Sequence, residues 1–156
     1  HRWLYKNTGA VPEEMYTIPL GRAQLLHRGE GATVVAASLA AVHTLEACRK
    51  CELDVDLIDP RTIKPLDMDC ILESVARTGR LVVIDYDFPF GGFAAEVVAR
   101  VAEELHDRLR AAPQRITFPD RGMPSSGVLE RAYYPTPETI AAELEAVLGR
   151  PVVHIG

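Results

Sequence analysis

Residues 53–85 read "LDVDLIDPRTIKPLDMDCILESVARTGRLVVID". The first seven alternate Val55 and Leu57 with acids, which is the period-two pattern of a strand. Met68, Ile71, Leu72 and Val75 then recur at i, i+3, i+4 and i+7, and Asp67 stands where a helix needs an N-cap. "RLVVID" (80–85) is a continuous apolar run, as expected of a strand covered on both faces. Strand, helix and strand in this order predict an α/β fold with a parallel-type sheet. The joining loop, 58–67, carries two prolines. Pro60 and Pro65 each fix a φ angle, and Pro65 biases Lys64 away from helix until Asp67 caps the next one. The planar fork of Arg61 suits a carboxylate, and Asp59 is near in sequence. Asp59, Arg61, Thr62, Pro65 and Asp67 are therefore expected to form an architectural corner, with a partly buried Arg61 held by carboxylates or backbone carbonyls of the fold or of an adjoining domain. The competing reading is a rigid ledge for a partner chain.

The same pattern extends in both directions. "RAQLLHRGEGATVVAAS" (22–38) predicts two strands around a glycine-rich hairpin turn at Gly29–Gly31, which would add an antiparallel edge. Leu39 to Cys51 is helical, with Ala41, Leu45 and Cys48 on one stripe. Gly91–Gly92 open a helix striped by Phe93, Val97, Val101 and Leu105. "QRITF" (114–118) is a short strand. Residues 119–135 form a Pro/Gly/Ser-rich loop with a helical piece around 127–133. Thr136 and Pro137 start the last helix, striped by Ile140, Leu144, Val147 and Leu148. Residues 1–20 show no period and read as a linker arm that packs through Trp3, Leu4, Tyr5, Tyr16 and Ile18. The domain proper is expected at 21–150 and a tail at 151–156.

Composition narrows the function classes. A net charge of −5 with interspersed signs argues against a nucleic-acid surface. No apolar run approaches the ~20 residues that cross a bilayer, and no signal peptide is evident, so a cytoplasmic protein without membrane contact is expected. Three cysteines are too few and too odd in number for a disulfide framework.

Cys48-Arg-Lys-Cys51 is the most tempting motif. A redox pair belongs at a helix N-terminus, where a thiol pKa is lowered, whereas this pair ends a helix. Zinc would need two more ligands, with Cys70 one possible partner, so reduced, partly buried thiols are expected and no metal site. His27 and His43 read as edge residues. Asp85, Tyr86, Asp87, Phe90, Gly91, Gly92 and Phe93 lie past the carboxyl end of the central strand, where ligands and interfaces gather in open α/β sheets. They are the candidate interface or active-site mouth.

The succession "YTIPLGRAQLLHRGEGATVVAAS", "VDLIDPRTIKPLD", "GRLVVIDYDFPFGGFAAEV" and "TFPDRGMPSSGVLERAYYPTPETI" resembles the C-terminal domain of the beta subunit of thiamine-diphosphate-dependent 2-oxoacid dehydrogenases. These are the pyruvate, branched-chain and acetoin enzymes of the transketolase superfamily. The resemblance runs from about Arg2 to Leu148. It implies a three-layer α/β/α fold with a five-stranded, mostly parallel mixed sheet and one antiparallel edge. It also implies an assembly role, dimerising beta subunits and helping to dock the dihydrolipoyl acyltransferase core. The rest of the beta subunit and an alpha subunit would be partners. The complete enzyme would decarboxylate a 2-oxoacid oxidatively, with thiamine diphosphate and magnesium held by the alpha subunit and the beta N-terminal domain. This chain has no G-D-G, and its only asparagine is Asn7. No catalytic, cofactor-binding or metal residue is therefore expected, and the chain alone should be silent. It departs from the family pattern at Pro60, usually leucine, at Tyr86, usually acidic, and at Phe90, usually arginine. The alternatives are the matching domain of deoxyxylulose-phosphate synthase or transketolase, or a stand-alone enzyme using Cys48/Cys51 or Asp85/Asp87.

Overall fold

The computed structural model describes residues 1–149, so the tail expected at 151–156 lies outside the described residues. Five strands, β1 (Gln24–His27), β2 (Ala32–Ala36), β3 (Val55–Asp59), β4 (Leu81–Ile84) and β5 (Gln114–Ile116), form one sheet in the order β1-β3-β2-β4-β5. β2 to β5 are parallel, and β1 runs antiparallel to β3 at the edge. Helices α1 (Leu39–Cys51) and α5 (Pro137–Leu148) cover one face, and α2 (Met68–Thr78) and α3 (Phe93–Leu105) the other. A short α4 (Gly127–Arg131) sits in the last loop. The three-layer α/β/α architecture with one antiparallel edge is as expected. Among the described residues no helix is long and apolar enough to cross a membrane.

Strand alternation sorts the core. Val34 and Leu57 meet Ala47, Ile140 and Leu144, while Val35, Ile58 and Val83 meet Ile71, Val75 and Val97. The caps read from sequence are in place. Asp67 Oδ1 accepts the Cys70 N–H at 3.3 Å, and Thr136 Oγ1 accepts that of Thr139 at 3.2 Å.

Two expectations fail. Gly29–Gly31 is no hairpin turn, because β3 lies between β1 and β2. The segment instead crosses the amino end of β3, where Gly29 N–H reaches Asp56 Oδ1 (3.0 Å) and Gly31 N–H reaches Asp54 O (3.0 Å). A Cβ on Gly29 would lie 2.2 Å from Val55 N, so close approach to a backbone is what requires glycine there. The arm also differs. It begins with a 3-10 turn, Arg2–Lys6, in which only Trp3 and Leu4 are half-buried, while Tyr5, Tyr16 and Ile18 are exposed.

β3 is buried from Val55 to Ile58, Asp56 included. Asp56 is 2% exposed, with Oδ1 held by Gly29 N–H and Oδ2 by the Ser74 hydroxyl (2.7 Å) and the Arg77 guanidinium. Arg77 also bonds Gly29 O at 3.0 Å and Glu30 at 2.7 Å. Thr33 joins the network through Ser74 (2.7 Å) and Thr78 (2.8 Å).

Candidate functional site

The two loops singled out in the sequence follow the carboxyl ends of β3 and β4, on either side of β2. The β3–α2 loop is built on backbone-directed bonds. Thr62 Oγ1 accepts the Gly21 N–H at 2.9 Å and donates to Pro65 O at 2.7 Å. Asp67 Oδ2 accepts the Ala23 N–H at 2.8 Å, so one residue caps α2 and fastens the approach to β1. Asp59 Oδ1 accepts the backbone N–H of Arg61 at 3.0 Å, and Arg61 takes a left-handed φ of 57°. The guanidinium does not behave as expected. Arg61 is exposed, and its side chain donates to the Gln24 amide oxygen rather than to a carboxylate or a backbone carbonyl of this domain. The reason is positional: Asp59 is turned to the backbone of Arg61, and the exposed fork meets the edge strand instead.

The second loop follows β4. Asp85 is half-buried, and its Oδ2 accepts the Ala94 N–H at 3.0 Å. Burial pushes its pKa up, opposed by the Ala94 N–H. The start of α3 thus already holds a carboxylate, leaving no free cradle for an outside anion at Gly91–Gly92. Gly92 is buried, and a Cβ there would meet Phe88 O at 2.6 Å, so the glycine makes a close turn. Asp87 is exposed, with Oδ1 accepting the Phe88 N–H at 2.8 Å, and Phe93 is half-buried against the α2–α3 core. Phe90 is 91% exposed at the loop tip.

Tyr86 turns inward. Its hydroxyl donates to Pro135 O (2.8 Å) and meets His43 Nδ1 (2.7 Å). Burial raises its pKa above the ordinary phenol value, and the neighbouring Tyr134 adds to that. Its ring stacks on Phe118 at 5.7 Å and meets Tyr134 edge-on at 5.3 Å. Tyr134 in turn lies 4.5 Å from the Trp3 ring. Sequence reading missed this cluster. Its only signal was the crowding of aromatics at 86–90, 118 and 133–134, which local periodicity cannot connect.

Beside the first of these loops, a hollow of about 570 Å³ is bordered by Ile18, Leu20, Ser38, Asp59, Arg61 and Ile63. Ser38, at the turn into α1, holds a positive φ of 59°.

The thiols lie elsewhere. Cys48 is buried, which pushes its pKa up to about 12, and burial also raises those of Cys51 and Cys70. That is the opposite of thiolate activation. Among the described residues no group of three or more His, Cys, Asp or Glu could hold a metal ion.

Comparison with known proteins adds four findings. The family model for the transketolase C-terminal domain matches residues 21–140. The chain is 37% identical over 153 residues to the acetoin:2,6-dichlorophenolindophenol oxidoreductase subunit beta of Bacillus subtilis (strain 168), spanning 96% of this chain and 45% of the relative. It is 37% identical over 136 residues to the pyruvate dehydrogenase E1 component subunit beta of Rickettsia bellii (strain RML369-C), spanning 85% and 42%. The chain therefore spans a little under half the length of these curated relatives. A solved structure described as a split gene transketolase, inactive beta4 tetramer, is alike in fold, with a TM-score of 0.71 at 24% identity over 89% of this chain and 47% of that one.

Proposed function

Since the chain belongs to the transketolase C-terminal-domain family, we propose that it serves as the assembly domain of a 2-oxoacid dehydrogenase beta subunit. In this reading it joins beta subunits to one another and helps dock the acyltransferase core, while the chemistry happens elsewhere. The observation that carries it is coverage: 96% of this chain matches a beta subunit of which it spans only 45%. The arm supports the same reading. Val11, Met15, Tyr16 and Leu20 all point outward, the disposition of a segment that joins and packs against another half of a longer protein. Residues 85–93, with Phe90 presented to solvent, are the proposed interface, and 59–67 the corner that fastens arm to sheet.

The residues present do not fit the diphosphate and magnesium of thiamine diphosphate. The helix start that could take an anion is occupied by Asp85, and no acid cluster among the described residues suits the metal. Calorimetric titration of the chain with thiamine diphosphate and magnesium is expected to give no site. A micromolar, stoichiometric heat of binding would overturn the reading in favour of a domain that holds its own cofactor.

A further inference from the structure

The arm is fastened at two places and nowhere between. At its far end, Gly21 (φ 69°) donates its N–H to Thr62 Oγ1, and two residues on, Ala23 N–H is fixed by Asp67. At its near end, His1 donates its N–H to Ser38 Oγ at 3.0 Å and its ring Nε2 meets the Tyr134 hydroxyl at 2.8 Å, while Trp3 lies against Tyr134, which in turn contacts Tyr86 and, at 4.9 Å, Phe118. Arg2 pairs with Glu130 at 2.9 Å, but with an Arg2 side chain 71% exposed this ion pair adds little. Among the described residues no hydrogen bond ties 8–20 to the body, and Val11 and Met15 are 77% and 98% exposed. Residues 18–20 nonetheless border the hollow over the ends of β2 and β3.

We infer that residues 1–20 form a strap, latched by His1 and Trp3 on Tyr134 and hinged at Gly21, which closes the hollow beside Ser38 and Arg61. Release of the latch breaks the ring contacts of His1 and Trp3 with Tyr134 and the hydrogen bonds of His1 without disturbing any strand, so it belongs to the low-energy openings of the fold. It also removes one neighbour of the Tyr134–Tyr86 pair. Tyr86 is held in turn by Pro135 O and His43, so strap position and the 85–93 loop are coupled through one ring cluster. By linkage, whatever binds that loop and stiffens Tyr86 favours the closed strap, and the converse. The inference stands on this chain's own contacts and not on the role proposed above.

Trp3 is the only tryptophan, so its emission reports the latch directly. In the 156-residue chain, Tyr134→Ala is expected to red-shift that emission and raise its acrylamide quenching about twofold, with hydrogen exchange in β2–β4 unchanged. Tyr86→Ala, which removes a ring that touches Tyr134, should do the same more weakly. Tyr86→Phe should restore the wild-type emission, and Phe90→Ala should leave it alone. Wild-type emission in a folded Tyr134→Ala protein would overturn the latch, and Tyr86→Ala without effect would overturn the coupling. The unmutated chain gives a separate test: amides of residues 2–6 that exchange as slowly as those of β2–β4 would show that no strap opens independently.

Discussion

β3 carries an acid near each end, and the two are treated in opposite ways. Asp56 is 2% exposed, with both carboxylate oxygens filled by a backbone N–H, a hydroxyl and the Arg77 guanidinium. Asp59, three residues on, is half-buried and accepts only a backbone N–H from Arg61, whose own guanidinium is exposed. The anchored arginine of this fold is Arg77 on a helix, not Arg61 in the proline-bounded loop. What decides the difference is cover. The amino end of β3 lies beneath the crossing at 29–31 and against α2, so a charge there is desolvated and must be paired. The carboxyl end opens toward the hollow, where water does the same work.

The largest expected effect tests that contrast at its buried end. Asp56→Ala leaves Arg77 with the exposed Glu30 and Gly29 O and strips the Gly29 N–H and the Ser74 hydroxyl of a partner. Breaking a buried charge network in this way costs about 3–5 kcal/mol, or roughly 10 °C in melting temperature for a domain of this size. Urea unfolding measures it directly. A loss below about 1 kcal/mol would mean that water reaches Asp56 as freely as it reaches Asp59, and the contrast would be broken.

Legibility in the sequence follows the range of the interaction. The N-caps at Asp67 and Thr136, the α2 stripe and the apolar run of β4 are written within a few residues each, and all are found where the sequence predicts them. The pairing of β1 is not local. Gly29-Glu30-Gly31 has the composition of a hairpin turn, and only the insertion of β3 reveals that its glycines answer to the Val55 and Asp54 backbones. Asp56 looked like the solvent-facing partner in an alternating strand. Its burial depends on Ser74 and Arg77, some twenty positions away, contacts that no periodicity predicts. The cluster of Trp3, Tyr86, Phe118 and Tyr134 escaped for the same reason, being drawn from four separate segments. The corner at 59–67 was legible as a rigid loop because proline acts on its own backbone. Where its arginine would point was not.

A second contrast between covered and open sites lies along α1. Cys48 is buried and its thiol is pushed from 9.0 to about 12, while Cys51, one turn on, is half-buried and raised by less cover. A raised folded pKa on an acid means that the native state keeps a proton the unfolded chain releases. Stability is therefore untouched well below pH 9 and declines as pH rises through 9 toward 12. By pH 10 the loss is about 1.4 kcal/mol, at 1.36 kcal/mol per pH unit above the unfolded value. Cys48→Ala lowers stability at every pH by shedding buried volume, but it should flatten the slope between pH 8 and 10. An unchanged slope would place the titration on another group and weaken the case that this face of the sheet is dry.

The smallest effect is expected at the exposed end of the comparison. Two prolines and a fork-shaped cation suggest that Arg61 anchors its loop, so that Arg61→Ala would lower the melting point appreciably. The structure argues otherwise. The loop is held by Thr62, Asp67 and the backbone of residue 61, all of which survive the substitution. What is lost is one bond to the Gln24 amide from an exposed side chain, the kind of change that usually stays within ±0.5 kcal/mol. Alanine still inherits a φ of 57°, so a small loss is expected, about 1–2 °C for a domain of this length. Arg61→Gly relieves that backbone and should recover part of the loss, because glycine adopts the left-handed region without a steric penalty. Finding instead that Arg61→Ala matches Asp56→Ala in size would mean the guanidinium, and not the backbone, holds the corner. The two ends of β3 would then be fastened by the same kind of charge.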